Sequence, residues 1–172
     1  MSFLDLAKKR YSCRKLSAQP VEEEKLQKIL EAGNLAPTAV NKQPFHIWVL
    51  KSEEAMQKVS QTTSFIFGAP VAFVVGSKAE SAFVRSFDKK NFADVDASIA
   101  ATHMMLEIEA LGLGTTWVGH FDAPKLKELF PEMADYELVA IFPVGYPAED
   151  AKPSARHAER AGIEIEMIAD WL

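Results

Sequence analysis

The sequence predicts one domain that mixes helices with buried strands, and three patterns predict it. Short apolar runs at Phe45–Leu50, Val71–Val75 and Leu138–Val144 have the length and β-branched content of strands. Leu26, Ile29 and Leu30 recur at helical spacing behind a first turn of glutamates. A long apolar segment, 94–111, is too extended for a strand and stops at Gly112-Leu113-Gly114. The 172 residues suit a single domain, 1–172, with 148–172 as an extended C-terminal arm.

In chain order, Phe3, Leu4, Leu6 and Ala7 before Lys8-Lys9-Arg10 predict a short first helix with its bases in the last turn, where they suit the dipole. A second helix begins near Glu22, and Gly33 and Pro37 are expected to break it. A polar loop follows, Thr38 to Gln43, and leads into the first strand, expected to be buried. Ser52 can cap a helix opened by Glu53 and Glu54, and Ala69-Pro70 precedes the second strand. Residues 77–91 are polar and irregular and are expected to border a substrate opening. The segment 94–111 is apolar nearly all round, which predicts a helix buried on more than one side, with a subunit interface as the second surface. Asp94 and Asp96 are expected to open that helix at its positive end. Thr115–Val118 reads as a strand, and a helix is expected near Pro124–Phe130. After Gly145-Tyr146-Pro147 comes the polar arm, in which Ile163–Met167 alternates like a strand that could pair with another subunit.

Composition narrows the function. With a net charge of −5 and both signs interspersed, the chain lacks the basic surface of a nucleic-acid or membrane binder. Any anionic ligand must be held by local bases. A lone cysteine, Cys13, allows neither an intrachain disulfide nor a cysteine metal cluster, and fits a reducing cytoplasm. Charge arrives too early at the N-terminus for a secretory signal, and no run of apolar residues is long enough to span a bilayer. His46, His103 and His157 show no metal-ligand spacing.

Two clusters carry chemistry. Arg10-Tyr11-Ser12-Cys13-Arg14 sets two guanidinium groups around a hydroxyl, a donor density suited to phosphate, although a solvated basic helix end would look the same. Pro37-Thr38-Ala39-Val40-Asn41-Lys42-Gln43-Pro44-Phe45 offers amide donors and acceptors that match a flat ring edged by carbonyls, although turn chemistry alone also favours these residues.

These clusters stand in register with three later ones: Ala69-Pro70-Val71, Gly112-Leu113-Gly114-Thr115-Thr116-Trp117-Val118-Gly119, and Gly145-Tyr146-Pro147 with Arg156 downstream. In that order, over nearly its whole length, the chain resembles the nitroreductase family of FMN-dependent oxidoreductases, in its shorter form. The resemblance implies an α+β fold, a mostly antiparallel central sheet flanked by helices, with the C-terminal arm exchanged in a homodimer. It implies that Arg10, Ser12, Arg14 and Arg156 hold the FMN phosphate and ribityl end, with the backbone of Tyr11 and Cys13 alongside. Pro37, Thr38, Ala39, Asn41 and Gln43 would approach the same flavin from the partner subunit. Trp117, Val118 and Gly119 would line the isoalloxazine, a backbone N–H near Gly119 reaching N5. Thr38, Phe45 and Cys13 replace the family's usual serine, tryptophan and aliphatic residue, the first two conservatively.

The implied activity is hydride transfer from NADH or NADPH through the flavin to a small organic acceptor such as a nitroaromatic or quinone. Such a cycle needs no side-chain nucleophile; the cofactor does the chemistry and the protein positions it. His120, next to Gly119, could orient the acceptor or serve simply as a loop histidine. Ene reduction, reductive dehalogenation or flavin breakdown are alternatives on the same fold, as are a non-catalytic flavin-binding module and a phosphate-ligand protein without flavin.

Overall fold

The computed structural model describes residues 2–159. Helix α1 (Phe3–Lys9) is closed by a reciprocal cap between Ser2 and Asp5, and α2 (Glu23–Asn34) follows. Then come β1 (Phe45–Leu50), α3 (Glu53–Ser60), β2 (Val71–Ser77), the long α4 (Ala93–Ala110), β3 (Gly114–Thr115), α5 (Ala123–Leu129) and β4 (Glu137–Gly145). Ser52 caps α3 as expected, its hydroxyl accepting the Ala55 N–H at 3.1 Å. No described helix is long and apolar enough to cross a membrane.

The four strands form one antiparallel sheet in the order β1-β2-β4-β3. Both faces are covered. Val71, Phe73, Val75, Ala140, Phe142 and Val144 pack beneath α2 and α4, while Ala72, Val74 and Ile141 face Val59 of α3 and Leu126 of α5. Double burial explains why β2 and β4 read as continuous apolar runs rather than alternating ones. A fully buried phenylalanine such as Phe73 or Phe142 contributes about 1.5–3 kcal/mol through area alone.

Three expectations need correction. Strand β1 is half-buried, not buried, because it is the sheet's edge: Phe45, Ile47 and Val49 pack toward α2 and α4, Trp48 and Leu50 toward α3 and α5, and one side of the strand has no neighbouring strand to cover it. Gly33 does not break α2. It lies inside the helix, where a Cβ would stand 2.9 Å from Met104 Cγ and 3.0 Å from Ile47 Cδ1, so its bareness lets α2 approach α4. Within the chain, helix α4 buries one side (Ala97, Ala100, Ala101, Met104, Ile108); its other side, with Val95 and His103 exposed and Ile99 half-buried, is the one on which the expected subunit interface would lie. The strand expected at Thr115–Val118 stops after two residues. Its register against β4 continues, with Val118 and Ile141 exchanging 3.0 Å bonds, but the residue due to donate between them is Pro143, which has no N–H. The strand expected at Ile163–Met167 lies outside the described residues.

A cleft of arginines beside a ring-lined pocket

The segment after α1 is stitched into the sheet edge. Cys13 N–H donates to the Thr115 carbonyl at 2.8 Å, and Cys13 itself is fully buried with Leu16 and Ala69. That alternation turns Ser12 and Arg14 the other way, toward solvent and a cleft. Residues 146–157 reach the same place. Leaving β4, Ser17 N–H donates to the Tyr146 carbonyl at 2.8 Å and Ala148 N–H to the Lys15 carbonyl at 3.0 Å. Lys15 pairs with Asp150, Ala151 packs on Cys13 and Leu16, and a single helical turn at Ala155–Ala158 sets His157 edge-on to Tyr11 at 6.3 Å.

The result is a cleft of about 410 Å³ lined by Arg10, Ser12, Arg14, Ser154, Arg156 and His157. Three guanidinium groups converge there, and among the described residues none of them makes a salt bridge. Elsewhere the chain pairs its bases freely. Like charges gathered without carboxylates repel, and a bound anion offsets that cost. Burial and a hydrogen bond with Cys13 push the Tyr11 phenol up to about 12, so it stays neutral beside the arginines. Among the described residues no group of three or more His, Cys, Asp or Glu gathers as a metal site.

Arg14 also borders a second cleft, of about 210 Å³, with Phe65, Phe67, Thr116, Trp117, Val118, Gly119 and His120. Trp117 rests edge-on against the core residue Phe142 at 5.1 Å. Val118 is held by Ile141, whereas the next N–H, that of Gly119, has no hydrogen-bond partner among the described residues, and space lies open around its Cα. This is a fixed, unspent donor on the wall of a ring-sized pocket.

Of the residues singled out by sequence, Arg10, Ser12, Arg14 and Arg156 thus share one cleft, and Trp117, Val118, Gly119 and His120 the next. Cys13 does not line either; its side chain is core and its N–H is committed. Tyr11 packs on His157 behind the arginines. The loop residues Pro37, Thr38, Ala39, Asn41 and Gln43 lie apart. Ala39 N–H donates to Asp96 Oδ1 at 3.0 Å, near the start of α4, whereas Lys9 meets Glu109 at its end. Thirteen residues of helix separate those anchors, about 20 Å at 1.5 Å per residue. Asp96 therefore does more than open the helix: it is 1% exposed, binds the loop and keeps its other oxygen unpartnered. The loop is strained, with Val40, Asn41 and Gln43 at φ of 47°, 55° and 49°, and is braced by Gln43 N–H on Thr38 Oγ1 at 3.1 Å.

Sequence reading assigned nothing to Phe65, Phe67 or Ser154. The available signal was Phe67-Gly68 ahead of Ala69-Pro70. Phe67 and Gly68 both have positive φ (55° and 81°), and a Cβ on Gly68 would stand 2.9 Å from the Leu16 carbonyl oxygen. Leu16 N–H donates to the Phe67 carbonyl at 3.0 Å, which pins the aromatic pair beside Arg14.

A family model described as the nitroreductase family matches residues 7–64 and 61–146. The chain belongs to the nitroreductase family. A family relative in Methanothermobacter thermautotrophicus, named an NADH dehydrogenase/NAD(P)H nitroreductase, is 30% identical over 157 residues, 87% of this chain and 80% of that one. The crystal structure of a nitroreductase family protein from Clostridium difficile 630 superposes with a TM-score of 0.89 at 35% identity, over 98% of this chain and all (100%) of the other. An FMN-dependent nitroreductase of Clostridium difficile R20291 gives 0.75 at 27% identity, over 94% and 100%. The nitroreductase fold thus accounts for the α+β architecture.

The close approach that builds the arginine cleft can be tested directly. A Cβ on Gly114 would lie 2.9 Å from Cys13 Sγ and 3.0 Å from both Cys13 Cβ and Leu16 Cδ2. Gly114→Ala is expected to destabilise the fold by about 1–3 kcal/mol through overpacking. Urea unfolding checks it; an unchanged midpoint would mean that the 10–16 segment is not clamped to β3.

Proposed function

We propose that this chain is an FMN-dependent oxidoreductase that works as a homodimer, with NADH or NADPH as donor and a small organic acceptor such as a nitroaromatic or quinone. The observation that carries the reading is the convergence of Arg10, Arg14 and Arg156 around Ser12, without carboxylate partners among the described residues, opening through Arg14 into a pocket walled by aromatic rings and an N–H that is unspent among those residues. A phosphate at one end and a flat redox ring at the other fit this pair of clefts.

In this reading Arg10, Arg14 and Arg156 neutralise the phosphate, and the Ser12 hydroxyl adds an uncharged donor. Trp117 and Phe67 would line the ring's pocket, and Gly119 N–H, held in place by the Val118–Ile141 pairing, would be the donor available to the ring. A preorganised backbone donor of this kind reorganises little during reaction. When bound, FMN supplies hydride transfer between nicotinamide and acceptor, and the protein needs no side-chain nucleophile.

The loop of Thr38, Ala39, Asn41 and Gln43 lies too far along α4 to touch the same flavin within one chain. A second copy brings it there, with Pro37 leading in. The outward side of α4, where Val95, Ile99 and His103 border an open depression of about 510 Å³, is apolar enough to be covered by that copy.

The test is the purified protein's absorption spectrum, followed by anaerobic addition of NADH and NADPH. A yellow protein bleached within seconds supports the reading. Flavin that bleaches slowly with both nicotinamides would point to a non-catalytic flavin module, and a colourless protein that takes up no FMN would sink the cofactor assignment.

A further inference from the structure

The loop of residues 38–43, which the function proposed above brings to the flavin of a second copy, is clamped at both ends. At its exit the Lys78 N–H donates to the Pro44 carbonyl at 2.8 Å, which fixes the chain beside the end of β2. At its entry the clamp is a side chain from a distant helix: Asp96 Oδ1 accepts the Ala39 N–H at 3.0 Å, across 57 positions. Between the clamps Val40, Asn41, Lys42 and Gln43 are all exposed. Gln43 Nε2 donates to Asn41 Oδ1 at 2.9 Å, so the two amides are set relative to each other.

A buried carboxylate is a costly way to hold one N–H. Asp96 is 1% exposed, and its Oδ2 accepts no hydrogen bond among the described residues. A carboxylate oxygen taken out of water without a donor loses its hydration and regains nothing, and a neutral acceptor would satisfy the same N–H with a smaller penalty. What the carboxylate adds is strength, because a hydrogen bond to it is stronger than one to a neutral oxygen. The loop needs that strength. Val40, Asn41 and Gln43 all have positive φ, and for a β-branched residue such as Val40 that conformation is an outlier. Backbone of this kind persists only where its surroundings over-determine it.

We infer that Asp96 is a positioning residue for the cofactor of the other subunit. Through Ala39 it holds the 38–43 loop in the strained shape in which Thr38, Asn41 and Gln43 meet a flavin that they cannot reach within their own chain. Asp96 touches neither flavin nor substrate; it acts through the loop. The inference rests on the flavin reading and on the homodimer proposed with it, and it adds a consequence. Each FMN depends on the arginines of one protomer and on the partner's Asp96.

FMN affinity is measured by fluorescence titration in Asp96→Ala, Asp96→Asn and Ala39→Pro. Proline removes the donor yet suits the backbone, because Thr38 before it is already extended (φ −131°, ψ 157°) and Ala39 opens a helical turn. Kd is expected to rise about tenfold in Asp96→Ala and in Ala39→Pro, at the lower end of the range for a lost hydrogen bond to a charged group. Asp96→Asn keeps Oδ1 as an acceptor and is expected to recover part of that loss. The deciding measurement uses mixed dimers, in which Asp96→Ala subunits are co-expressed with Arg156→Ala subunits and isolated by two different affinity tags. One site of such a dimer combines an intact arginine cleft with an intact loop, and the other combines both defects. The expected result is one FMN bound with wild-type affinity and one bound far more weakly. If Asp96→Ala fails to fold, Ala39→Pro takes its place in the mixed dimer. Two equally weakened sites in the mixed dimer, or unchanged FMN affinity in both Asp96→Ala and Ala39→Pro, overturns the inference. A wild-type protein that takes up no FMN, or that is a monomer, overturns the parent reading and this one with it; a yellow dimer whose mixed form shows two equally weakened sites overturns this one alone.

Discussion

Arg10→Ala and Arg156→Ala are each expected to weaken FMN binding by about 10- to 100-fold, the loss of about 1.5–3 kcal/mol for one charge-assisted hydrogen bond. The two residues stand 146 positions apart in the chain, yet they border one cleft and have no salt-bridge partner among the described residues. If both act on the phosphate, the damage is specific to it. The preference of the protein for FMN over riboflavin, which carries no phosphate, should shrink in each variant, and should shrink in the wild type as salt is raised. Fluorescence titration with the two flavins measures both effects. Equal loss of FMN and riboflavin would place the arginines elsewhere on the ligand; no loss of either in both variants would remove the phosphate assignment.

Phe142→Ala is expected to cost about 3–5 kcal/mol, the usual range for emptying a phenylalanine site in a core. Phe142 is fully buried on β4 under α4, and the cavity cannot collapse easily because β2 on one side and the Val118–Ile141 bonds on the other hold the backbone. For a chain of this size such a loss lowers Tm by roughly 6–20 °C. The effect should reach the site, because Trp117 rests edge-on against the Phe142 ring at 5.1 Å. Without that support the indole is free to turn, and flavin affinity should fall as well. Thermal unfolding together with flavin titration tests the coupling. A large drop in Tm with unaltered flavin affinity would show that the Trp117 wall does not depend on the core beneath it.

The parts of the fold that were legible in the sequence are those set by local chemistry. Ser52 before two glutamates marks a helix start because its hydroxyl satisfies a free N–H within three residues, and the structure shows that bond. Strands β2 and β4 stand out because both of their faces are buried and so both must be apolar. The missed features depend on what packs where. Gly33 reads as a helix breaker until Met104 and Ile47 are found against it. The strand at Thr115–Val118 fails because of a proline on its neighbour, Pro143, which is visible in the sequence but informative only once the register is known. Asp96 looks like an ordinary helix-start acid; its burial and its bond to Ala39 come from the fold of a distant loop.

The site divides along the same line. Arg10, Ser12 and Arg14 are close in the chain, and their donor density alone suggested an anion. Arg156 joined them only through the resemblance to a family, since nothing local in Ala155-Arg156-His157 speaks of phosphate. Phe65 and Phe67 went unassigned because an aromatic beside a strand is ordinary core composition until its exposure is known.

By itself, then, the sequence determined the family, through motifs in register along the chain, and the helices, strands and half of the arginine cleft's lining, because these last follow from residues within a turn or a strand of one another. The tertiary structure alone decided that residues 10–17 meet residues 146–157, that three arginines converge without counterions among the described residues, and that the clefts adjoin. Those are relations between surfaces, and they exist only after residues 15–17 have paired with residues 146–148.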